Sequence, residues 1–158
     1  MIDKKDHEIL TIIQGDGRIA NAEIARRVGM APSAVLERIR KLEKRGVIQG
    51  YEALLEPKAL GQRLTAFTAV HVAEAVGSTE TGRRLAEVPG VLEVHYTAGQ
   101  DSYLVKVRAE DPQGLQHILQ QFGSIPGVRD TRTTVVLATI KESRQLPLAA
   151  LPDEEQRS

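Results

Sequence analysis

Two short stretches of this sequence, EVPGVLEV at residues 87–94 and SIPGVRDT at residues 124–131, share an aliphatic residue followed by Pro-Gly-Val. Their prolines, Pro89 and Pro126, lie 37 positions apart (126 − 89 = 37). A Pro-Gly pair favours a turn, because proline fixes φ and glycine adopts positive φ without steric cost. A turn that recurs in register indicates a repeated structural unit.

The match extends along the flanks of both turns. A shift of 37 residues aligns the β-rich segment 67–72 with 104–109, and it aligns 91–97 with 128–134 after the turns. Each half is therefore predicted to run strand, helix, turn, strand. Two such halves in series give β-α-β-β-α-β, the ferredoxin-like arrangement of a single domain.

Composition limits the classes of function. The chain of 158 residues contains no cysteine, which excludes disulfides, thiolate catalysis and cysteine-based zinc sites. No paired nucleophile and base, glycine-rich phosphate loop or acid dyad stands out, so we predict a protein that is not an enzyme and needs no cofactor. The histidines lack metal-ligand spacing, so no metal site is expected. The sequence has no signal-peptide or membrane-spanning run, which predicts a cytoplasmic protein without a membrane partner.

A net charge of zero hides an uneven distribution of charge along the chain. Residues 1–50 contain 10 Lys/Arg and 7 Asp/Glu, a net +3, and the remainder carries 11 − 14 = −3. Arg18 to Arg45 alone contains 8 basic and 3 acidic residues, a net +5. This pattern favours a nucleic-acid partner for the first module, although a solvated helical face with ordinary arginine usage gives the same count.

Three helices are predicted in the N-terminal module. Asp3 is expected to cap the first helix and Asn21 to cap a second, short helix. Pro32 suits the first position of a third helix that runs to about Arg45. The apolar stripe of this third helix is Val35, Ile39 and Leu42. Two short helices joined by a glycine-containing turn are typical of the helix-turn-helix.

The third helix is the predicted DNA reader. Small residues at its start allow close approach to a groove floor, and basic residues can reach bases or phosphates. We expect Arg38 to lie nearer to the bases than Lys41. The candidate DNA-binding residues are Arg18, Arg26, Arg27, Ser33, Ala34, Glu37, Arg38 and Lys41. Many three-helix bundles share this pattern and bind nothing, so the basic charge on these helices decides the interpretation.

The sequence resembles the Lrp/AsnC family, the feast/famine transcriptional regulators, over about residues 2–147. Residues 2–51 are similar to that family's DNA-binding module, and GQDSYLVKV (99–107) and IPGVRDTRTTVVL (125–137), with the late Lys141, are similar to its sensing and assembly domain. The resemblance implies an α+β protein with an N-terminal winged helix-turn-helix three-helix domain followed by a ferredoxin-like βαββαβ domain. It also implies a connecting strand, double-stranded DNA as partner, a homodimer that assembles to a tetramer or octamer, and an amino-acid effector bound between sheet domains.

Two positions depart from the family pattern. Ala31 stands where the family often has serine before the turn proline, so a capping bond worth ~1 kcal/mol is lost unless Ser33 replaces it. Ser102 stands where the family commonly has aspartate directly before the tyrosine, and the acid lies one residue earlier, at Asp101. Because this loop lines the effector site in relatives, the second change bears on the identity of the ligand.

The strands of the second module predict two apolar faces. One strand alternates between Tyr103, Val105, Val107 and Ala109 on one face and Leu104, Lys106 and Arg108 on the other. The last strand, predicted over Thr133 to Ile140, is apolar on both faces. Two helices cover one face, so apolar residues on the other require a second sheet. This predicts a homodimer, with burial against the tail as the alternative.

The hairpin loop of this module is the predicted effector site. Gly99 leaves room, and the polar groups that follow it can bind an α-ammonium or α-carboxylate group. From the residues alone the loop is explained as a hairpin, and its assignment to an effector rests on the resemblance. The candidate residues are Gly99, Gln100, Asp101, Ser102 and Tyr103, with Thr131 and Thr133 from the last strand.

The predicted organisation has four parts. Residues 1–50 form the helix-turn-helix domain, 51–63 the end of a connecting strand over Ile48 to Leu55 and a hinge, 64–142 the ligand-sensing and oligomerisation domain, and 143–158 a fraying tail. The predicted function is a sequence-specific DNA-binding transcriptional regulator modulated by an amino acid or related small metabolite. Two alternatives stay open: a nucleoid-type DNA-compacting protein with low sequence preference, and a metabolite-sensing ferredoxin-like protein that does not bind DNA.

Overall fold

The structure is a computed structural model and describes residues 2–148. The chain divides into two compact units, one formed by residues up to Leu54 together with residues from Glu142, and the other by Leu55–Lys141. Each unit has a hydrophobic core of its own. Residues 149–158 of the predicted tail lie outside the described residues.

The first unit contains three helices, which are α1 Lys4–Gly15, α2 Asn21–Val28 and α3 Pro32–Lys44. Its core is formed by Ile9, Ile24, Ala25, Val28, Val35 and Ile39. The Asp3 carboxylate accepts from the Asp6 N–H, and the Asp6 carboxylate accepts from the Asp3 N–H, so the predicted cap of α1 is confirmed as a reciprocal capping box. The predicted apolar stripe of α3 is also buried. Within residues 2–148 no helix is long and apolar enough to cross a bilayer.

The predicted cap of α2 is wrong, and the predicted loss of a capping bond at Ala31 is confirmed. Ala20 is the N-cap residue of α2, and Asn21 is the first residue of the helix, because the Ala20 carbonyl already accepts the first two intrahelical hydrogen bonds. Ala31 precedes α3 without any side-chain capping bond, and Ser33 does not replace it. The first N–H groups of both helices therefore have no side-chain acceptor. At such helix ends, water or another acceptor accepts their hydrogen bonds.

The predicted connecting strand, Ile48 to Leu55, is wrong for the single chain. Within residues 2–148 this segment pairs with no other strand, and a strand exists only as part of a ladder. A short 3-10 helix, Pro57–Leu60, follows it. For the same reason residues 2–54 form three helices and no β-wing in the described chain.

The second unit has the predicted order β-α-β-β-α-β, which confirms the ferredoxin-like fold. Its elements are β1 Leu64–Val72, α4 Glu80–Ala86, β2 Val91–Tyr96, β3 Tyr103–Ala109, α5 Pro112–Ser124 and β4 Val128–Val135. The sheet order is β2-β3-β1-β4, and every neighbouring pair is antiparallel. At the two repeated turns, Gly90 and Gly127 adopt φ of 91° and 97°, which the Pro-Gly chemistry requires.

The two faces of the sheet differ in what covers them. The core between the sheet and helices α4 and α5 is formed largely by Val70, Leu85, Tyr103, Val105, Val107 and Phe122. The pairing register of β1 and β3 places Phe67, Leu104 and Lys106 together on the opposite face. Phe67 and Leu104 are 37% and 39% exposed there, whereas Lys106 is buried and pairs with Glu93 at 3.2 Å. No helix of this unit covers that face within the described residues.

The last strand ends earlier than predicted, so its predicted extent to Ile140 is wrong. The Val136 N–H donates to the Thr65 carbonyl at 2.9 Å, and β1 begins only one residue before Thr65. Beyond this point β4 has no partner to pair with. Leu137 and Ile140 are accordingly 99% and 94% exposed.

Candidate functional site

The outward face of α3 is polar and exposed. Ser33, Glu37 and Lys41 all lie on it, and Ala34 is half-buried beside them. The Lys41 ammonium lies 2.7 Å from a Glu37 carboxylate oxygen and lowers the pKa of Glu37. Both side chains are 67% exposed, so this ion pair contributes little stability and exchanges readily for another partner.

Arg38 lies at the edge of this face, against the first turn of α1. Its Nη1 donates to Asp3 Oδ2 at 2.6 Å and to Asp6 Oδ1 at 2.7 Å. The hydrogen bonds to Asp3 and Asp6 raise the pKa of Arg38. The Asp6 N–H bond and then the bond from Arg38 lower the pKa of Asp3. Arg38 also lines an open cleft of about 450 Å³ between α1 and α3, as do Asp6, Ala34, Glu37 and Lys41.

Burial and free-energy magnitudes describe how the two aspartates hold the Arg38 guanidinium. Only 10% of the Asp6 side chain is exposed, so loss of Arg38 leaves a buried carboxylate without its cation. Removal of one partner from a buried ion pair typically costs about 3–5 kcal/mol. A good bidentate base contact discriminates against the wrong base by about 1–3 kcal/mol. Because Arg38 is 31% and Asp3 53% exposed, the cost here falls below that range, and in the free protein the two aspartates are the partners of Arg38.

The remaining predicted arginines lie around α2. Arg26 and Arg27 both donate to the Glu23 carboxylate, at 2.7 and 2.8 Å, and lower the pKa of Glu23 to about 2. Glu23 therefore stays ionised at any pH at which DNA binding is measured, and it holds both arginines at the same turn of the helix. Arg18 is exposed and makes no ion pair within residues 2–148.

The predicted effector loop is tied to the sheet at three places. The Ser102 N–H donates to the Val70 carbonyl at 3.0 Å, and the Gln100 carbonyl lies 3.2 Å from His71 Nδ1, so the loop lies against the end of β1. Asp101 forms an ion pair with Arg132 on β4. Gly99 adopts φ 153°, and a Cβ atom built on it would meet no heavy atom within 4 Å. The loop is thus anchored on both sides of an open position.

The other three candidate residues have different environments. The register places Thr131 and Thr133 opposite Val70 and Thr68, on the helix-covered face, and Thr133 Oγ1 lies 3.0 Å from Thr68 Oγ1. Tyr103 is 1% exposed, and its hydroxyl donates to Glu74 Oε1 at 2.6 Å. The structure therefore brings Asp101 of the loop together with Arg132 of β4. The two threonines of β4 point away from the face on which this pair lies.

Comparison with known proteins agrees with both halves of this description. A family model described as Lrp/AsnC ligand binding domain matches residues 65–146, and one described as winged helix-turn-helix DNA-binding matches residues 2–49. The chain belongs to the Lrp/AsnC family of transcriptional regulators. The match covers each of the two units, so the family assignment includes the DNA-binding module and the ligand-binding domain.

Individual Lrp/AsnC proteins are similar along nearly the whole chain. The HTH-type transcriptional regulator FL11 of Pyrococcus horikoshii is 40% identical over 147 residues, 93% of this chain and 97% of that protein. The leucine-responsive regulatory protein of Escherichia coli is 36% identical and covers 92% of this chain and 90% of its own length. A transcriptional regulator of Neisseria meningitidis solved as an L-Met complex superposes with a TM-score of 0.86, 33% identity and coverage of 94% and 97%. The feast or famine regulatory protein of M. tuberculosis complexed with L-methionine gives 0.86 at 35% identity, with coverage of 92% and 99%.

Sequence reasoning missed three residues of the Lrp/AsnC site regions. Arg40 and Lys44 are exposed on α3 and make no ion pair within residues 2–148. The spacing of Ser33, Glu37, Arg40 and Lys44 is i, i+4, i+7, i+11, which is the outward counterpart of the buried stripe and is readable from the sequence. Arg132 of β4 was missed because its partner, Asp101, is 31 residues away in the chain.

Proposed function

We propose that this Lrp/AsnC regulator reads operator DNA through α3 and that an amino acid or related small metabolite, bound to its sheet unit, modulates that binding. The observation that carries the first part is the outward row of α3, in which Arg40 and Lys44 have no partner within residues 2–148 while the opposite stripe is buried in the core. Phosphates and base edges are the acceptors that complete such a row. The protein then works by equilibrium binding and not by catalysis, in the cytoplasm together with its DNA.

The proposed DNA contacts divide by role. Ser33 and Ala34 at the start of α3 are small and admit the helix to a groove, and Glu37 and Lys41 follow on the same face. Their mutual ion pair opens at little cost when DNA arrives. Arg18, Arg26 and Arg27, together with Arg40 and Lys44, supply phosphate contacts. A two-fold dimer then places two α3 helices in successive turns of the major groove.

The proposed effector site is the loop Gly99–Tyr103 with the adjoining edge of β4. Two of the similar solved structures are complexes with methionine by their own descriptions, which supports an amino acid as the class of effector. The Asp101 carboxylate and the Arg132 guanidinium are charges of the kind that bind an α-ammonium and an α-carboxylate. Thr131 and Thr133 belong to this proposal as strand residues that shape the edge, and Ser102 as a polar group beside the acid.

We also propose a homodimer formed by the open sheet face, with assembly to a tetramer or octamer. Phe67 and Leu104 lie side by side on that face, and the second of two packed sheets is the partner that buries such residues. The Glu93 carboxylate, 3.2 Å from the Lys106 ammonium, offsets the charge that would otherwise oppose this contact. The segment Ile48 to Leu55 gains strand partners in the same assembly.

A pair of titrations tests the proposal against its alternatives. An operator is first selected from a random pool of duplexes with the full-length protein, and its affinity is then compared with that of a scrambled duplex over a series of salt concentrations. A specificity ratio of about a thousandfold or more supports a sequence-specific regulator. Equal affinity for the two duplexes supports a DNA-compacting protein, and no affinity for either supports a metabolite sensor. A thermal-shift screen with the twenty amino acids identifies the effector, since a ligand of the native state raises the melting temperature.

A further inference from the structure

Each of the four oxygens of the α1 capping-box carboxylates accepts a hydrogen bond. Asp3 Oδ1 accepts from the Asp6 N–H at 2.8 Å and Asp6 Oδ2 accepts from the Asp3 N–H at 3.2 Å. The two remaining oxygens, Asp3 Oδ2 and Asp6 Oδ1, both accept from Nη1 of Arg38. The start of α1 and the side of α3 therefore form one closed hydrogen-bond network.

The same turn of α1 is bonded to the other helix of the helix-turn-helix. Lys5 Nζ donates to the Val28 carbonyl at 2.6 Å and to the Glu8 carboxylate at 2.8 Å. Val28 is the last residue of α2, so its carbonyl is one of those that lack a partner inside the helix. Within a single turn, α1 thus bonds the end of α2 through Lys5 and the middle of α3 through its two aspartates.

We propose that Asp3, Lys5, Asp6 and Arg38 form a clamp that fixes the angle between α2 and α3, and that Arg38 is a positioning residue of the DNA reader instead of a DNA contact. The clamp ties the start of α1 to the end of α2 through a backbone carbonyl and to the middle of α3 through a side chain. This inference rests on the proposed function, because its main readout is operator binding.

Charge at the clamp agrees with this role. Two carboxylates face the one guanidinium, and with Lys5 the four residues of the clamp sum to a net charge of 0, so the clamp offers a phosphate no net positive charge. Contacts to base edges carry the sequence information and depend on how α3 enters the groove, whereas phosphate contacts are made to operator and scrambled duplex alike. Loosening of the clamp therefore weakens operator binding more than binding to a scrambled duplex.

The sign of one substitution separates the clamp from a direct contact. Asp6→Asn removes an acid near DNA and releases Arg38, so it leaves operator affinity unchanged or raises it if Arg38 contacts DNA. The clamp predicts a loss of operator affinity of about tenfold, the middle of the range for coupled neighbours. Arg38→Met is expected to lose a similar factor, and the double variant Asp6→Asn/Arg38→Met no more than either single one.

Two control variants calibrate the measurement. Glu43→Gln removes an exposed acid from the same helix, and the amide keeps an acceptor for the Tyr51 hydroxyl that Glu43 binds at 3.0 Å, so operator affinity stays the same or rises. Lys44→Met removes a proposed phosphate contact on the same helix, and the slope of log K against log salt concentration falls by about 1. Arg38→Met is expected to leave that slope unchanged, which a phosphate-contacting arginine would not do.

Each outcome decides the proposal. Operator binding by Asp6→Asn that equals or exceeds that of the wild type overturns the clamp, as does a reduced salt slope in Arg38→Met. Melting curves are recorded first, and if Arg38→Met is unfolded at the assay temperature, Arg38→Lys and Asp3→Asn replace it, since each keeps part of the network. If the wild type selects no operator, the proposed function fails and the clamp is judged by thermal unfolding alone, where additive effects of Asp6→Asn and Arg38→Met overturn it.

Discussion

Tyr103 is the residue at which the candidate effector loop meets the core. Its hydroxyl donates to Glu74 Oε1, and Glu74 Oε2 in turn accepts from the Thr81 hydroxyl at 3.1 Å in the first turn of α4. The Tyr103 ring occupies the space that Gly82 leaves by having no side chain, since a Cβ atom there would lie 2.5 Å from Cε1 of the ring. The start of β3 and the start of α4 are therefore fitted to one another, directly behind the loop.

We predict that Gly82→Ala lowers the free energy of unfolding by about 1–3 kcal/mol, because the new methyl group overlaps a buried ring that cannot move aside. The matched control is Gly123→Ala in α5, where a Cβ atom meets nothing within 4 Å. That change is expected to be neutral or to stabilise by up to about 1 kcal/mol through helix propensity. Urea unfolding of the two variants checks the contrast, and equal effects would show that the close approach at Gly82 is relieved by repacking.

A second prediction at this scale concerns pH. Burial and the hydrogen bond to Glu74 raise the pKa of Tyr103 to about 12, above its ordinary value of 10.0. The unfolded chain loses this proton first, so the contribution is complete below pH 10 and is lost as pH rises towards about 12. We expect the free energy of unfolding to fall less steeply with pH in Tyr103→Phe than in the wild type over this window. Identical slopes in alkaline denaturation curves would contradict the assignment.

The C-terminal end of α1 shows how an element is completed by a distant segment. No basic residue lies in its last turn, and its C-cap residue Asp16 is extended, so the usual ways of satisfying terminal carbonyls are missing. The Gln145 side chain supplies one bond, to the Gln14 carbonyl at 2.9 Å. The Gln14 amide in turn accepts from the Leu146 N–H at 2.7 Å and donates to the Leu146 carbonyl at 3.1 Å.

We predict that Gln14→Ala releases residues 142–148 from the first unit, since it removes both side-chain bonds to the Leu146 backbone. Trypsin cleavage after Arg144 is the measurement, because the Arg144 side chain is 74% exposed and its peptide bond lies next to Gln145 and Leu146, which bind Gln14. Cleavage is expected to become several-fold faster at unchanged protease concentration. Thr11→Ala, one turn earlier on the same helix, is the control and should leave the rate unchanged; equal acceleration in both would point to general loosening of α1.

At the scale of the whole molecule, the chain passes between the two units twice, once after Leu54 and once after Lys141. The DNA-binding unit thus consists of two chain segments, and each of them continues directly into the sheet unit. The sheet unit keeps one face for its own helices and leaves Phe67 and Leu104 on the other. A dimer formed through that face would join two DNA-binding units to one pair of packed sheet units, which respond to the effector.

We predict that the wild type is at least a dimer in solution, with a mass of about 35 kDa or a multiple (2 × 17.3 kDa). Leu104→Glu should shift it towards 17.3 kDa, because a carboxylate in the centre of an apolar contact between sheets is left without a partner. Val76→Glu is the control, since Val76 is 99% exposed in a loop outside this face. Light scattering at micromolar concentration checks both variants, and a wild type of 17.3 kDa would refute the proposed dimer.

Local chemistry in the sequence was sufficient to predict the three N-terminal helices and the order β-α-β-β-α-β, but not the absence of a strand at Ile48 to Leu55. The repeated Pro-Gly pairs act within a few residues, and glycine at positive φ is needed wherever such a turn is made, so Gly90 and Gly127 marked the two halves of the fold. The stripe of α3 and the alternation of β3 report burial through fixed periods, and both were confirmed. These signals depend only on residues that are close together in the chain, so they can be recognised before the fold is known.

The tertiary structure alone decided which side chains are available for function. The sequence predicted that Arg38 contacts DNA, because its position on the helix is nearly outward. Its partners in the structure, Asp3 and Asp6, lie more than thirty positions away from it in the chain. Thr131 and Thr133 were assigned to the effector site, yet pairing with β1 turns them to the helix-covered face, and β4 stops at Val135 because β1 has no more residues to offer. In each case the deciding atom belongs to a segment distant in sequence, and no local period or propensity encodes its position.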